Sequence, residues 1–312
     1  MINVIYPSSN WANNIGNPFF NLGAIHLLHS VRPDFFIQQT DFTIERVFKL
    51  KGNYLNNYFR YMDYIGGGDV LVLGGPMFST YFGELYEKLF KEVKRNNMKI
   101  ILLTAGGNTY TGKEKSHCRS VLSEYTPDVF ASRDEYTYDN YADLAQRSYN
   151  GICTAWFTPE YFPGYDTPSL GKYITSVFDK TSEPTITLKD YDKNDPHSYK
   201  NINTKVVGHG SSKKLTRLMQ RNFPESIDDF IVIRPTHNVL KKGASRLFFK
   251  KNSFVSQTPY GYLNLYRNAE LTLTDRLHAA VVTLAYGNPA QLFIRSLRAR
   301  LLERVNAQAA MS

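Results

Sequence analysis

Asp69-Val70-Leu71-Val72-Leu73-Gly74-Gly75-Pro76 is the stretch that decides the fold. Its apolar run is continuous, too short for a helix, and stops in glycine, which is the pattern of a strand buried on both faces. The pattern recurs in Lys99-Ile100-Ile101-Leu102-Leu103 ahead of Ala105-Gly106-Gly107, and in Val129-Phe130-Ala131-Ser132 ahead of Arg133-Asp134-Glu135. Ile2–Tyr6 opens the chain in the same way. Helical stretches separate these runs: one from about Pro18 to Leu28, and one from about Tyr81 to Asn96 with Leu85, Leu89, Phe90 and Val93 on one face. Doubly buried strands alternating with helices predict a parallel sheet covered on both sides, and ligands bind beyond the carboxyl ends of such strands.

The same rhythm resumes after Pro163, Gly164, Pro168 and Gly171, which read as a linker. Tyr173–Phe178, Thr185–Leu188, Phe230–Pro235, Glu270–Thr274 and Ala290–Ile294 read as strands; Tyr262–Asn268 and Leu277–Tyr286 read as helices; Asp190–Asn203 reads as loop. With 312 residues, against roughly 100–200 per domain, two α/β domains are expected. They are Rossmann-like units over 1–162 and 163–294, followed by a basic amphipathic helix over 295–312 carrying Arg295, Arg298, Arg300 and Arg304.

Composition narrows the function classes. Hydrophobic residues are 42% and the net charge is +9, so the chain can build cores and attracts anions. The basic residues are scattered rather than clustered beside aromatics, which argues against nucleic acid as a partner. The basic tail fits an anionic membrane face, or packing across the domains. No apolar run is long enough to span a bilayer, and the first residues read as a buried strand rather than a signal peptide. Cys118 and Cys153 have no metal or redox spacing, so no metal site, no disulfide framework and a cytoplasmic compartment are expected. Neither glycine pair has dinucleotide or P-loop spacing. Gly75 and Gly107 are candidates to admit a ligand close to the backbone, or simply to turn the chain. Asn14 and Gly16 lie in a polar loop ahead of the first helix, with the same two readings.

The most informative segment is Thr274-Asp275-Arg276-Leu277-His278-Ala279-Ala280. A strand ends, Thr274-Asp275 can cap a helix, and Arg276 and His278 fall in its first turn. Free N–H groups and the dipole favour an anion there; a charged arginine or histidine is disfavoured by roughly 0.3–1 kcal/mol unless one is bound. Arg276 offers a planar fork for carboxylate or phosphate, and His278 moves protons near neutral pH. The competing arrangement has Asp275 capping the helix and pairing with Arg276, with His278 packed at the surface. The residues alone leave the two level. His237 and His209 each follow a strand of this half and can face a ligand or simply be solvated; Arg234, beside His237, can bind phosphate or pair structurally; Trp11 and Trp156 can stack on a sugar, with burial the competing role for Trp156.

Arg276-Leu277-His278-Ala279-Ala280, the apolar helix and the turn at Gly287-Asn288-Pro289 resemble the C-terminal signature of the polysaccharide pyruvyl transferase family. Asn14–Asn17, Asp69–Gly75, Leu103–Gly107 and Ala131–Tyr136 are similar to its other elements, in order. The match departs at Gly151–Phe157, where the family often carries an acidic residue, and nothing matches Pro163–Asn203 or Thr236-His237-Asn238. The resemblance implies a GT-B-like fold with an interdomain cleft, the first domain on the acceptor side and the second on the donor side. It implies phosphoenolpyruvate as donor, no cofactor, and a sugar or lipid-linked glycan as acceptor. Arg276 and Arg133 are then candidates for the donor's anionic groups, and His278 for proton transfer with Asp69 or Asp134 as partner. A glycosyltransferase using a sugar nucleotide is the alternative, and a non-catalytic glycan- or phosphate-binding protein a second.

Overall fold

The computed structural model of the chain describes residues 1–8, 11, 14–41, 53, 68–195, 202–205, 223–238, 248, 250–293, 296–305 and 310–311. The chain divides into two compact units: Met1–Asn10, Phe20–Phe157 and Ser296–Asn306 form the first, while Trp11–Phe19, Thr158–Arg295 and Ala307–Ser312 form the second. The sequence boundary near residue 162 therefore moves, and the loop carrying Asn14 and Gly16 joins the second unit.

The first unit runs β1 (Ile2–Ser8), α1 (Gly16–Val31), β2 (Phe35–Asp41), β3 (Val70–Gly74), α2 (Phe82–Arg95), β4 (Lys99–Ala105), α3 (Gly112–Glu124), β5 (Val129–Ser132), α4 (Glu135–Tyr141) and β6 (Arg147–Asn150). The first turn of α1 is counted with the second unit. The six strands form one parallel sheet in the order β2-β1-β3-β4-β5-β6. All strand ends that follow the apolar runs therefore open at one edge. Helix α2 buries Phe82, Tyr86, Leu89, Phe90 and Val93, spaced for one helical stripe, against Leu71, Leu73, Ile100 and Leu102. Gly75 has φ +91, and a Cβ there would stand 2.6 Å from the Phe20 ring, so only glycine fits. Thr104, at the end of β4, also has a left-handed backbone, φ 52, and the register with β5 shifts beside it. A β-branched residue held there costs on the order of 1–3 kcal/mol, and such strain collects at functional sites. Its hydroxyl accepts the Thr154 N–H at 3.2 Å.

The second unit runs α5 (Thr158–Tyr161), β7 (Tyr173–Val177), β8 (Thr185–Leu188), β9 (Ile202–Lys205), β10 (Ser226–Ile227), β11 (Phe230–Pro235), β12 (Ser253–Phe254), α6 (Pro259–Asn268), β13 (Leu271–Thr274), α7 (Leu277–Ala285), β14 (Ala290–Leu292) and β15 (Ala310–Met311). Its main sheet has the order β10-β11-β7-β13-β14-β15, with β12 beside β11; only β10 is antiparallel. β8 and β9 make a separate antiparallel pair, so the expected loop over Asp190–Asn203 ends inside a strand. Helix α7 is apolar all round, with Leu277 to Thr283 buried, and packs under the sheet. A line of buried hydroxyls ties it down: Thr283 Oγ1 donates to Thr272 Oγ1 at 2.8 Å, which lies 2.7 Å from Thr175 Oγ1.

The basic tail is not a free-standing helix. Leu297–Val305 is a 3-10 helix counted with the first unit, and Ala299, Leu301 and Leu302 are buried. Arg300 lies over the Tyr136 ring, 5.4 Å from its centre. The side chains of Ala299, Leu301 and Leu302 are packed into the protein, while Leu297 at the start of the helix is exposed. Arg295 and the side chain of Arg304 lie outside the described residues. Cys118 and Cys153 are both buried and neither is in a disulfide. Among the described residues no helix is long and apolar enough to cross a membrane, and no cluster of metal-ligating side chains occurs.

Candidate functional site

In the second unit, three strand ends and one loop converge on Arg276. Asp179 follows β7, Thr236-His237-Asn238 follows β11, Asp275-Arg276 follows β13, and Asn14–Gly16 supplies the loop. Arg276 Nη2 donates to Asn14 Oδ1 at 2.8 Å and to Asn238 Oδ1 at 3.2 Å. Its Nε lies 3.9 Å from Asp179 Oδ2, an ion pair rather than a hydrogen bond. Among the described residues Nη1 has no hydrogen-bond partner, so one arm of the fork is left for a ligand. Arg276 itself occupies the cap position of α7, its N–H donating to Thr274 Oγ1 at 2.8 Å, and no side chain caps the helix. His278 stands in the first turn, 6% exposed, against Gly16: a Cβ added at Gly16 would lie 3.2 Å from its Nδ1.

The expected Asp275 cap is not made. Both Asp275 oxygens turn to the loop after β7, accepting N–H groups of Asp179 at 3.1 Å and of Lys180 and Thr181 at 2.6 Å each. That leaves the positive end of α7 and an open guanidinium arm side by side, the arrangement that binds anions.

The first unit holds a second anion-ready group. Arg133, at the end of β5, is fully buried, yet Nε, Nη1 and Nη2 all lack a hydrogen-bond partner among the described residues. Gly106 makes room for it: a Cβ there would stand 2.2 Å from Arg133 Nε. An uncompensated buried cation costs several kcal/mol. A chain tolerates that where an anionic group arrives to share it.

A family model for polysaccharide pyruvyl transferases matches residues 14–291. The chain belongs to the polysaccharide pyruvyl transferase family. It is thus a transferase acting in polysaccharide biosynthesis. No curated protein matches the sequence significantly. Solved structures give the fold. A Staphylococcus aureus MnaA–UDP co-structure is 11% identical with a TM-score of 0.55, covering 98% of this chain and 82% of its own. A putative UDP-N-acetylglucosamine 2-epimerase from Listeria monocytogenes is 13% identical at 0.54, with 98% and 82% covered. The Methanocaldococcus jannaschii UDP-GlcNAc 2-epimerase in complex with UDP-GlcNAc and UDP is 14% identical at 0.52, with 98% and 87% covered. The fold class is GT-B-like, with two Rossmann-like units; at these identities nothing about substrate follows.

Within this family frame, several residues nominated from sequence have other work. Asp69 is exposed at the amino end of β3, where its Oδ2 accepts the Asn3 N–H at 2.7 Å. That is the opposite sheet edge from Gly75, so Asp69 is not placed for catalysis. Asp134 caps α4: Oδ1 accepts the Thr137 N–H at 2.8 Å and its hydroxyl at 2.7 Å, and Oδ2 accepts the Tyr110 hydroxyl at 2.9 Å. Its oxygens are occupied, which corrects its assignment as a proton-transfer partner. Gly107 packs against Tyr110 and Glu114, and the buried Glu114 carboxylate accepts the N–H groups of Asn108, Thr109 and Tyr110. Gly107 therefore serves a tied loop.

Arg234 is tied down at every nitrogen. Its Nε donates to the buried Glu183 at 2.9 Å, Nη1 to the Lys251 carbonyl and Nη2 to the Pro224 carbonyl. Each of its three nitrogens already donates to a buried or backbone partner, which fixes it as a scaffold ion pair. His237 is fully buried, with Nε2 2.5 Å from the Tyr266 hydroxyl and the rings of Phe19 and Tyr262 edge-on to it. Burial, helped by the Arg276 charge and opposed by Asp179, pushes its pKa down to about 3, so it stays neutral and binds no anion through charge. Trp11 and Trp156 are half-buried, and His209 lies outside the described residues. At the departure from the family pattern, Thr154–Phe157 forms a 3-10 turn in which Thr154 Oγ1 donates to the Phe20 carbonyl at 2.6 Å.

Sequence reasoning missed Asp179 and Asn238. The carboxyl-end rule that nominated Arg276 applies equally to both, since each lies within three residues of its strand's end.

Proposed function

We propose that the chain transfers the enolpyruvyl group of phosphoenolpyruvate onto two hydroxyls of a glycan sugar, forming a pyruvate ketal. The observation that carries this is Arg276: held by Asn14 and Asn238 through one nitrogen, open at Nη1, and beside His278 at an uncapped helix end within the matched Arg-Leu-His-Ala-Ala sequence. Phosphoenolpyruvate carries a carboxylate and a phosphate. Arg276 and the end of α7 take one of them; in the first unit Arg133, whose guanidinium has no hydrogen-bond partner among the described residues, is the candidate for an anionic group of donor or acceptor.

His278 delivers a proton to the enol CH₂, leaving C2 electrophilic. One sugar hydroxyl adds at C2, and the C–O bond to phosphate breaks. The second hydroxyl then closes the ring. The two hydroxyl protons balance the one placed on carbon and the one taken by phosphate, so the products are the ketal and inorganic phosphate. A placed acid–base group contributes roughly 10²–10⁴-fold.

The test is release of inorganic phosphate from phosphoenolpyruvate in the presence of glycan acceptors, with His278→Ala alongside. Glycan-dependent release that falls by roughly 10²–10⁴-fold in a folded His278→Ala variant is the expected result. Nucleotide release from a sugar nucleotide, with none of phosphate from phosphoenolpyruvate, would replace the reading with the glycosyltransferase one. Saturable binding without turnover would mark a non-catalytic binder.

A further inference from the structure

Asp179 belongs to no motif matched above, yet it is tied to each of the groups that hold the Arg276 guanidinium. Its carboxylate is 2% exposed. Oδ2 accepts the His237 N–H at 2.8 Å and lies 3.9 Å from Arg276 Nε. That N–H sits in the loop after β11, whose next residue, Asn238, supplies one acceptor for Arg276 Nη2. The carbonyl of His237 accepts the Ile15 N–H at 3.0 Å, which pins the loop bearing Asn14, the other acceptor. Behind it, Asp275 grips the Asp179 backbone N–H and the two that follow. One carboxylate thus touches the guanidinium directly and anchors, through a single N–H, the loop from which both remaining contacts are hung.

We propose that Asp179 is a positioning residue: it fixes the direction in which Arg276 presents Nη1, without itself touching the donor. This rests on Arg276 being the donor-binding arginine. Two effects then oppose each other. Removing the carboxylate frees the arginine to reorient, which lowers turnover; it also removes a negative charge beside an anion site, which favours binding of any anion. The signature is therefore a split, with turnover falling while donor affinity holds or rises. Displacement of a positioning group by about 1 Å can reduce rate 10²-fold.

The experiment compares the full-length chain with Asp179→Asn and Asp179→Ala. Asparagine still accepts the His237 N–H, so the loop stays and only the charge is lost; alanine removes both. Expected are a loss in kcat of about 10-fold for Asp179→Asn and about 10²-fold for Asp179→Ala, with calorimetric affinity for phosphoenolpyruvate undiminished in Asp179→Asn. Parallel loss of affinity and melting temperature with unchanged kcat per bound donor, or kinetics equal to the parent's, would overturn it. Phenylglyoxal labelling of Arg276, followed by mass spectrometry, reads the same geometry without activity. Faster labelling in Asp179→Ala supports positioning and an equal rate sinks it. If the parent binds no phosphoenolpyruvate, the donor assignment fails on its own, and the labelling rates still judge Asp179.

Discussion

His237 makes a quantitative claim about acid stability. In the unfolded chain its imidazole protonates near 6.5; in the fold, burial first and the Arg276 charge second hold its pKa down to about 3. Between these values the unfolded state binds a proton that the folded state refuses, so stability falls as pH falls, starting near 6.5 and ending near 3. Each pH unit in that window is worth about 1.4 kcal/mol, so acidifying from 6.5 to 5.0 removes about 2 kcal/mol on account of this one residue. Urea unfolding followed by circular dichroism at pH 7.5 and pH 5.0, for the parent and for His237→Gln, isolates it. Glutamine cannot titrate, so whatever it loses through the Tyr266 contact is lost at both pH values and cancels. The parent should lose about 2 kcal/mol more than the variant on acidification. Equal losses would show that His237 takes up its proton in the folded state, and the account of a sealed, neutral imidazole would be wrong.

Two further outcomes separate binding arginines from structural ones. Arg133→Met should raise the melting temperature, because it removes a buried cation with no hydrogen-bond partner among the described residues, a gain on the order of 1–4 kcal/mol, while raising KM for phosphoenolpyruvate or for the glycan; a variant both less stable and unchanged in both KM values would place Arg133 in the scaffold. Arg234→Met should do the reverse, destabilising the fold in urea unfolding by less than the roughly 3–5 kcal/mol of a fully broken buried pair, since Lys250 stays 3.2 Å from Glu183, with KM for phosphoenolpyruvate unchanged; a donor-specific defect would return Arg234 to the site.

The central strands were legible because burial on both faces writes itself as an uninterrupted apolar run, and β3, β4 and β5 fall where those runs are. The strands at or near the sheet's edges were not. β6, Arg147–Asn150, has alternating exposure and no apolar run, and β2 mixes Phe36 with Gln38 and Gln39 on exposed positions. Arg276 and His278 were legible because strand end, arginine, histidine and helix are contiguous. What Arg234 and His237 do was not, because their partners are remote: Glu183 is 51 residues from Arg234 and Asp179 is 58 from His237. A loop arginine looks the same in sequence whether its nitrogens are spent or open. Asn14, 262 residues from Arg276, was named for its glycine loop, and only folding reveals that it is a partner of that arginine.

Helix α7 is buried from Leu277 to Thr283 and has no capping side chain at its entrance. A helix secured by its flanks can leave its mouth unfinished. The bound anion would then be the missing piece of local secondary structure as well as the substrate. Departure of that anionic group with the product would uncap the helix, and arrival of the next donor would cap it again. Each turnover would thus complete and reopen a turn that the polypeptide alone never closes.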